Sequence, residues 1–292
     1  MSILHVIILA VVQGLAELLP VSSSAHVIVA EKLMGMDPAA PEMTLLLVML
    51  HTGTMFAVIA YFWGRWRRAF FQNAVDFRAF AGALIVATVL TGLVGGGIIE
   101  GIEKVAFRNQ PHAWVEQLFD RLDLIAIALA AAGVLILFAG LRKSASQRRE
   151  ETNSEMSLGQ VALMGAVQGL CLPFRGFSRS GATISTGMLS GVNKVRSEDF
   201  SFALAVVLTP LLVGREALRL VEMRHMQSGQ SLGQSLGPAV LPSLLGAVFA
   251  FLAGLLALKW LSRWLENGRW YWFGIYCVVA AVVVGLLYHA GY

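Results

Sequence analysis

Charged residues are scarce in this chain of 292 residues: there are 22 Lys and Arg and 18 Asp and Glu, together 14% of the sequence. Hydrophobic residues make up 57%, and the mean hydropathy is +0.70. Because soluble globular domains carry about 25% charged residues, this composition excludes an ordinary soluble domain. It indicates a protein whose solvent is the lipid bilayer.

Cysteine is also rare, since Cys171 and Cys277 are the only two. They form no Cys-x-x-Cys pair and lack the spacing of zinc ligands, and both lie in apolar stretches, so we expect buried thiols. The net charge of +4 comes from Lys and Arg in short loops between apolar runs. This distribution is typical of membrane topology, and we expect no nucleic-acid partner.

A cleavable leader is not expected either. The first apolar stretch, 3–19, lacks the basic start and the small-residue cleavage site of a signal peptide, and it contains Glu17. We therefore expect it to belong to the folded protein.

Six apolar segments are long enough to span a bilayer, which takes about 20 mainly apolar residues. They lie at about 43–63, 78–99, 123–141, 200–221, 238–262 and 270–290. The predicted fold class is therefore an all-α integral membrane protein with six transmembrane helices.

Two further apolar regions are interrupted by polar residues. A helix over 3–19 would be about 25 Å long, less than the roughly 30 Å hydrocarbon core, before Pro20 and three serines break it. A second short helix is expected at about 25–34. The stretch 157–191 repeats this plan around a break at 173–181. Each region predicts a re-entrant pair of short helices that enters and leaves the membrane by one face.

Loop charges predict the topology, because Lys and Arg accumulate on the cytoplasmic side. Basic residues cluster at 65–68, 142–149 and 259–269, which we expect to be cytoplasmic, whereas the connection at 100–122 mixes both signs and is expected outside. The second and third basic loops are both expected in the cytoplasm, so the chain must cross the membrane an even number of times between them. The two clear spans at 200–221 and 238–262 already supply an even number. The second interrupted region therefore re-enters from the cytoplasm, and by the same count the first re-enters from the outside.

Each half of the chain then contains one re-entrant pair and three spans, and because three is odd the halves are inverted. Val-Val-Gln-Gly-Leu at 11–15 and Ala-Val-Gln-Gly-Leu at 166–170 occupy the same place in the two halves. We expect a single membrane domain made of two repeats, 1–150 and 151–292. Broken helices at corresponding places in inverted halves are typical of a site near the bilayer midplane.

The first break carries groups suited to catalysis. Gln13 and Glu17 are four residues apart and share a helix face, so their oxygens could bind Mg²⁺ or Ca²⁺. His26 and the hydroxyls before it supply a nucleophile and a general acid or base. These hydroxyls belong to Ser22, Ser23 and Ser24. The alternative is that Glu17 is a hydrogen-bonded packing residue and His26 a core histidine, but a carboxylate inside a membrane more often serves function.

The second break is typical of an anion site. Glycines, serines and arginines open a short helix there, and backbone N–H groups at a helix N-terminus favour negative charge. No carboxylate lies inside this break, so we expect Arg179 to bind phosphate in the bidentate way of a guanidinium rather than to extend to the membrane interface. Arg179 is counted with Glu17, Ser23 and His26 as a catalytic candidate. The other expected phosphate-binding residues are Ser22, Ser24, Arg175, Gly176, Ser178, Ser180, Gly181 and Thr183.

If the two breaks meet at the midplane, a carboxylate, hydroxyls and an imidazole face an arginine and an anion site, which is an arrangement for phosphoryl transfer. His51, early in the first span, is interpreted as a packing or hydrogen-bonding residue instead.

Two motifs now carry a resemblance. Gln-Gly-Leu-Ala-Glu-Leu-Leu-Pro-Val-Ser-Ser-Ser-Ala-His at 13–26 and Gly-Phe-Ser-Arg-Ser-Gly-Ala-Thr at 176–183 resemble the signatures of the undecaprenyl-diphosphate phosphatase (bacitracin-resistance protein) family. The likeness extends over most of the chain. It implies metal-assisted hydrolysis of undecaprenyl diphosphate to the monophosphate in the bacterial inner membrane, at a site reached from the periplasm, and a part in bacitracin resistance.

By this resemblance Glu17 matches an acidic residue that binds metal or acts as base, and Gln13 matches a position that is Glu or Gln. Ser23 and His26 match the hydroxyl and the imidazole, whose roles as nucleophile, acid or metal neighbour stay open. Arg179, with its flanking serines, matches a phosphate clamp. Arg175 stands where the family usually has proline, so the path of the second break differs.

Two other classes compete with an enzyme. Inverted repeats are also transporter architecture, so a flippase of undecaprenyl phosphate is the main alternative. A membrane scaffold would leave the polar breaks unexplained. A homodimer is compatible with the sequence.

Overall fold

The computed structural model describes residues 2–37, 40–106, 121–146, 156–226, 232–266 and 269–291. Regular structure in these ranges consists of α-helices. In chain order they are α1 (Ile3–Leu18), α2 (Ser23–Leu33), α3 (Pro41–Phe70), α4 (Ala74–Ala106), α5 (Leu122–Ser146), α6 (Leu158–Cys171), α7 (Arg179–Leu189), α8 (Lys194–Met226), α9 (Leu232–Glu266) and α10 (Tyr271–His289).

The predicted spans are confirmed, because among the described residues six helices are long and apolar enough to cross a membrane. These are α3, α4, α5, α8, α9 and α10. The chain is therefore an all-α, multi-pass membrane protein. The positions of the two interrupted regions are also confirmed: α1 and α6, with 16 and 14 residues, are too short to span and are each followed by an 11-residue helix, α2 or α7.

Re-entry by one face stays a prediction. The loop charges behind it fall partly on 107–120 and 147–155, which lie outside the described residues.

The short first helix of each half packs on a long helix of the other half: α1 lies along α9, and α6 lies along α4. Glycine permits both contacts. A Cβ on Gly14 would come within 2.7 Å of the Ala250 carbonyl oxygen, and one on Gly169 would come within 2.7 Å of the Thr91 oxygen and 2.9 Å of the Gly95 nitrogen. Small residues at such crossings let helix backbones approach closely in a membrane. The Gln-Gly-Leu segment thus has the same packing role in both halves.

The last helices of the two halves, α5 and α10, also pack closely on each other. A Cβ on Gly274 would lie 2.6 Å from the Leu137 nitrogen, and one on Gly133 would lie 3.0 Å from the Gly274 oxygen. This pair of helices flanks both breaks, because α5 contacts α7 and α10 contacts the start of α2.

A buried ionic contact joins α3 to α8. Arg65 Nε lies 2.7 Å from Asp199 Oδ1, its Nη2 lies 3.3 Å from Glu198 Oε2, and its guanidinium stacks 4.5 Å above the Phe62 ring. The two carboxylates are almost fully buried. Buried carboxylates need such partners, so this contact fixes α3 against α8, the two helices that enclose the site described next.

Candidate active site

The first break is formed by Pro20 and a strained serine. The α1 helix ends at Leu18, and Ser22 has a φ of 68° and a ψ of 95°. Non-glycine residues rarely adopt a positive φ, and such conformations concentrate at functional sites. The turn starts α2 at Ser23, so that the hydroxyl of Ser23 returns to the last turn of α1.

Glu17 is the centre of the site. Its Oε1 accepts a hydrogen bond from Arg179 Nη2, and its Oε2 accepts one from Ser23 Oγ. Gln13 Nε2 also donates to Oε2 at 3.2 Å, as its place one turn earlier on α1 allows. The Glu17 side chain is 11% exposed and that of Arg179 21% exposed. A carboxylate removed from water is therefore held by one cation and two neutral donors.

The ion pair corrects one expectation from the sequence. No carboxylate lies within the second break, but Glu17 of the first break neutralises Arg179 across 162 residues of chain. The two breaks therefore meet, as expected, although their charges pair with each other. A phosphate that binds Arg179 must share it with Glu17 or displace it, since a guanidinium offers several donors.

Two more contacts join the breaks. The Gly176 nitrogen donates to Ser24 Oγ at 3.3 Å, and Ser180 Oγ donates to the Leu19 oxygen at 3.4 Å. Gly176 has a φ of +100°, and a Cβ there would lie 2.6 Å from the Ile125 oxygen. Glycine is required at this position for both reasons.

The remaining residues of the predicted anion site have partners within the protein. Ser178 is the N-cap of α7 and accepts from the Gly181 nitrogen at 3.2 Å. Thr183 donates to the Arg179 oxygen at 2.9 Å and shares a hydrogen bond with Ser201. Arg175 is partly exposed in the loop before α7. Phosphate binding by these residues stays a prediction. Their hydrogen bonds within the protein form the framework that holds Arg179.

His26 has partners at both ring nitrogens. Nδ1 lies 2.7 Å from the Ser22 carbonyl oxygen, and Nε2 lies 2.7 Å from the hydroxyl of Tyr276 on α10. Ser22, whose φ is positive, directs its carbonyl oxygen toward the side chain of His26, four residues later, and accepts this hydrogen bond. Tyr276 was not found from the sequence, because nothing in an apolar last span connects it to a histidine 250 residues away.

His51, interpreted from the sequence as a packing or hydrogen-bonding residue, makes such a hydrogen bond and also lies near Glu17. Its Nδ1 donates to the Leu47 oxygen at 2.8 Å, but its Nε2 lies 3.9 Å from Glu17 Oε2. Because Nδ1 donates to a carbonyl, Nε2 faces the carboxylate either with a proton or with a lone pair open to a cation. The signal in the sequence was a histidine inside an otherwise apolar span, a position that usually serves function.

A cavity opens from the ion pair toward α3 and α8. Its polar lining comes from Glu17, Arg179, Ser180, Thr54, Ser201 and Thr209. Its remaining wall is apolar, with Val58 and Phe202 among its members. The candidate site is thus a space with polar and apolar walls between hydrophobic helices, in which electrostatic contacts act more strongly than in water.

The metal prediction can be tested against these residues. Among the described residues, no three His, Cys, Asp or Glu side chains form a cluster that could hold a metal ion. One carboxylate, Glu17, and the amide oxygen of Gln13 are too few for a site made of protein alone. They fit a cation shared with a substrate only if the Gln13 amide, whose Nε2 faces Glu17 here, turns its oxygen to the carboxylate. Mg²⁺ commonly binds through one or two carboxylates together with substrate phosphates.

Known proteins of one family match this chain over nearly its whole length. The family model described as Bacitracin resistance protein BacA matches residues 6–283. Undecaprenyl-diphosphatase 2 of Acinetobacter baylyi is 54% identical over 284 residues, 97% of each chain. Undecaprenyl-diphosphatase 2 of Burkholderia orbicola is 34% identical over 97% of this chain and 95% of its own. Undecaprenyl-diphosphatase of Rhodopirellula baltica is 32% identical over 98% of both.

Proposed function

This chain belongs to the bacitracin resistance protein BacA family, and on that premise we propose that it is an undecaprenyl-diphosphatase of the bacterial inner membrane. It hydrolyses undecaprenyl diphosphate to undecaprenyl phosphate and inorganic phosphate, which returns the lipid carrier to cell-wall synthesis and protects the cell from bacitracin. The observation that carries this proposal is the junction of Ser23, Glu17 and Arg179, which holds a hydroxyl, a base and a phosphate-binding cation together.

Ser23 and Glu17 are arranged as a nucleophile and its base. The hydroxyl of Ser23 donates to Glu17 Oε2, so the proton that must leave during attack already points to a carboxylate. In the proposed reaction, Ser23 Oγ bonds to the terminal phosphorus and the bridging P–O bond breaks. Undecaprenyl phosphate leaves, and water then cleaves the phosphoserine to release inorganic phosphate.

Arg179 neutralises the charge of the diphosphate. Its guanidinium is held beside the same carboxylate by the N-terminal turn of α7, and it is partly exposed to the cavity. In a space poor in water, a fixed cation stabilises the negative charge that moves to the leaving oxygen. The hydrogen bond from the Gly176 nitrogen to Ser24 Oγ holds the two breaks together beside Arg179.

A divalent cation, Mg²⁺ or Ca²⁺, is proposed as a cofactor held by Glu17 and Gln13 with the diphosphate as its further ligand. When bound, it supplies charge neutralisation to the phosphates. Since Gln13 offers an uncharged oxygen where a second carboxylate could stand, the protein alone would hold the cation weakly, and its binding would depend on the substrate.

The topology is proposed from the loop charges and the packing. The crossed pairs of α1 with α9 and α6 with α4 support two inverted repeats, 1–150 and 151–292. The first break then enters from the periplasm, where the diphosphate is met. Pairing of two copies stays a prediction. The flippase alternative has no observation of its own in the described residues.

The test of the reaction is to trap the intermediate. Purified protein in detergent is mixed with undecaprenyl diphosphate labelled with ³²P in the terminal phosphate, and the reaction is stopped with acid. Label on the protein, lost in Ser23→Ala, is the expected result. Full turnover by Ser23→Ala would rule out this nucleophile, whereas absence of phosphate release by the wild type would rule out the function itself.

A further inference from the structure

His26 is fixed on two sides by groups from different halves of the chain. Its Nδ1 meets the Ser22 carbonyl oxygen at 2.7 Å, and its Nε2 meets the Tyr276 hydroxyl at 2.7 Å. The two rings also stack, with centroids 5.6 Å apart and planes inclined by 12°. Tyr276 belongs to α10, and it matches neither of the two motifs that carry the catalytic groups.

These partners define the tautomer of the neutral ring. A carbonyl oxygen only accepts, so the Ser22 oxygen requires the proton on Nδ1. Nε2 then carries the lone pair, and the Tyr276 hydroxyl must donate to it. Without this hydroxyl, the Nε2 lone pair would have no protein donor among the contacts described for His26, and the ring would keep one hydrogen bond instead of two.

Contacts of the neighbouring residues on α10 fix the position of Tyr276. The next residue, Cys277, is fully buried and its Sγ donates to the Pro20 oxygen at 3.4 Å. Gly274, two residues earlier, packs against the backbone of α5. The first turns of α10 are therefore held between α5 and the first break, and they bring the phenol to His26 without a flexible segment.

We propose that Tyr276 is a positioning residue for His26: its hydrogen bond to Nε2 holds the orientation of the ring, whose Nδ1-protonated tautomer the Ser22 carbonyl sets, and so fixes this candidate general acid or base in one position. The inference rests on the proposed function for its kinetic consequence only. It also means that the last helix of the second half completes the reaction centre built on the first break, so that the two halves are joined at His26 as well as at Glu17.

The kinetic experiment uses Tyr276→Phe, which keeps the ring that stacks on His26 and removes one oxygen. Loss of one hydrogen bond of ordinary strength predicts a fall in kcat of about 3- to 10-fold with little change in KM. Tyr288→Phe, on the same helix and also exposed, is the matched control and should behave as wild type. In a His26→Gln background, Tyr276→Phe should have no further effect, because the group it acts through is gone.

A second readout does not depend on hydrolysis. In ¹⁵N spectra of histidine-labelled protein, with His26 assigned from the spectrum of His26→Gln, the wild type should show the Nδ1-protonated tautomer. In Tyr276→Phe, the Nε2 signal should move toward that of a free acceptor. A His26 signal that is unchanged in Tyr276→Phe would overturn the proposal. A raised KM at unchanged kcat in this variant would also overturn it, because Tyr276 would then bind the substrate directly. Failure of wild-type hydrolysis with the expected spectra would refute the function but not the positioning.

Discussion

Glu17 and Arg179 form an ion pair across 162 residues of chain, and this pair joins the two broken regions of the protein. The carboxylate comes from the end of a short helix and the guanidinium from the first residue of another. Each group offsets the cost of burying the other in a membrane. A substrate with two phosphates can compete for the guanidinium, so we propose that this contact is both a structural link and a part of the binding site.

The geometry of Arg179 predicts that charge alone does not replace it. Arg179→Lys should lower kcat/KM by at least about 100-fold, because an ammonium group on a flexible stem cannot donate to a carboxylate and a phosphate in one plane. The measurement is steady-state phosphate release in detergent. Arg78→Lys changes an exposed basic residue of α4 that does not line the cavity; it is the control and should retain activity. Near-normal turnover by Arg179→Lys would contradict the role of the guanidinium fork.

The glycine contacts predict a selective loss of stability. Gly169→Ala should lower the free energy of unfolding by about 1–3 kcal/mol, because the new Cβ meets the backbone of α4, which cannot move as a side chain could. Gly96→Ala, on α4 itself, has open space around its Cβ and should be neutral or slightly stabilising. Thermal unfolding of both variants in the same detergent compares them. Equal transition temperatures would mean that α6 and α4 are not packed as described.

His51 is predicted to contribute to the reaction. His51→Gln removes the group that faces Glu17 at 3.9 Å, and we expect a drop in kcat of about 10-fold. His289→Gln, at the end of α10, should have no effect. If His51→Gln keeps full activity at every pH tested, its nearness to Glu17 is a packing consequence and the sequence interpretation was right.

The topology is tested by labelling. Single cysteines placed at 142–156 in a variant without the two native cysteines should be protected from an impermeant thiol reagent in intact cells, while those at 105–115 should react. Permeabilised cells give the control, since both sets should then react. The reverse pattern would overturn the inverted repeat.

Much of the fold could be predicted from the sequence, because apolar length and proline act locally. Six spans follow from runs of about 20 apolar residues, and Pro20 with its serines marks the first break without any knowledge of tertiary structure. The repeated Gln-Gly-Leu also pointed to a duplication, and its glycines do lie at equivalent helix crossings.

The partners of the proposed catalytic groups could not be predicted in the same way. The contact of Arg179 with Glu17 and that of His26 with Tyr276 join residues more than 160 positions apart. They depend on how the helices pack, which residue types alone do not encode. The nearness of His51 to Glu17 could not be predicted for a related reason: it depends on how α3 packs against α1, whereas its hydrogen bond to Leu47 lies within its own helix.

The central claim is tested most directly by measuring inorganic phosphate released from undecaprenyl diphosphate by purified protein, with and without EDTA, beside Glu17→Gln. Steady release by the wild type is expected, lost in EDTA and restored by Mg²⁺ or Ca²⁺, with no release by Glu17→Gln because the site's carboxylate ligand and base is gone. Release by Glu17→Gln at the wild-type rate, or full activity in EDTA, would contradict the account of the site. Absence of release by folded wild type, with transfer of undecaprenyl phosphate across proteoliposomes, would identify a carrier instead.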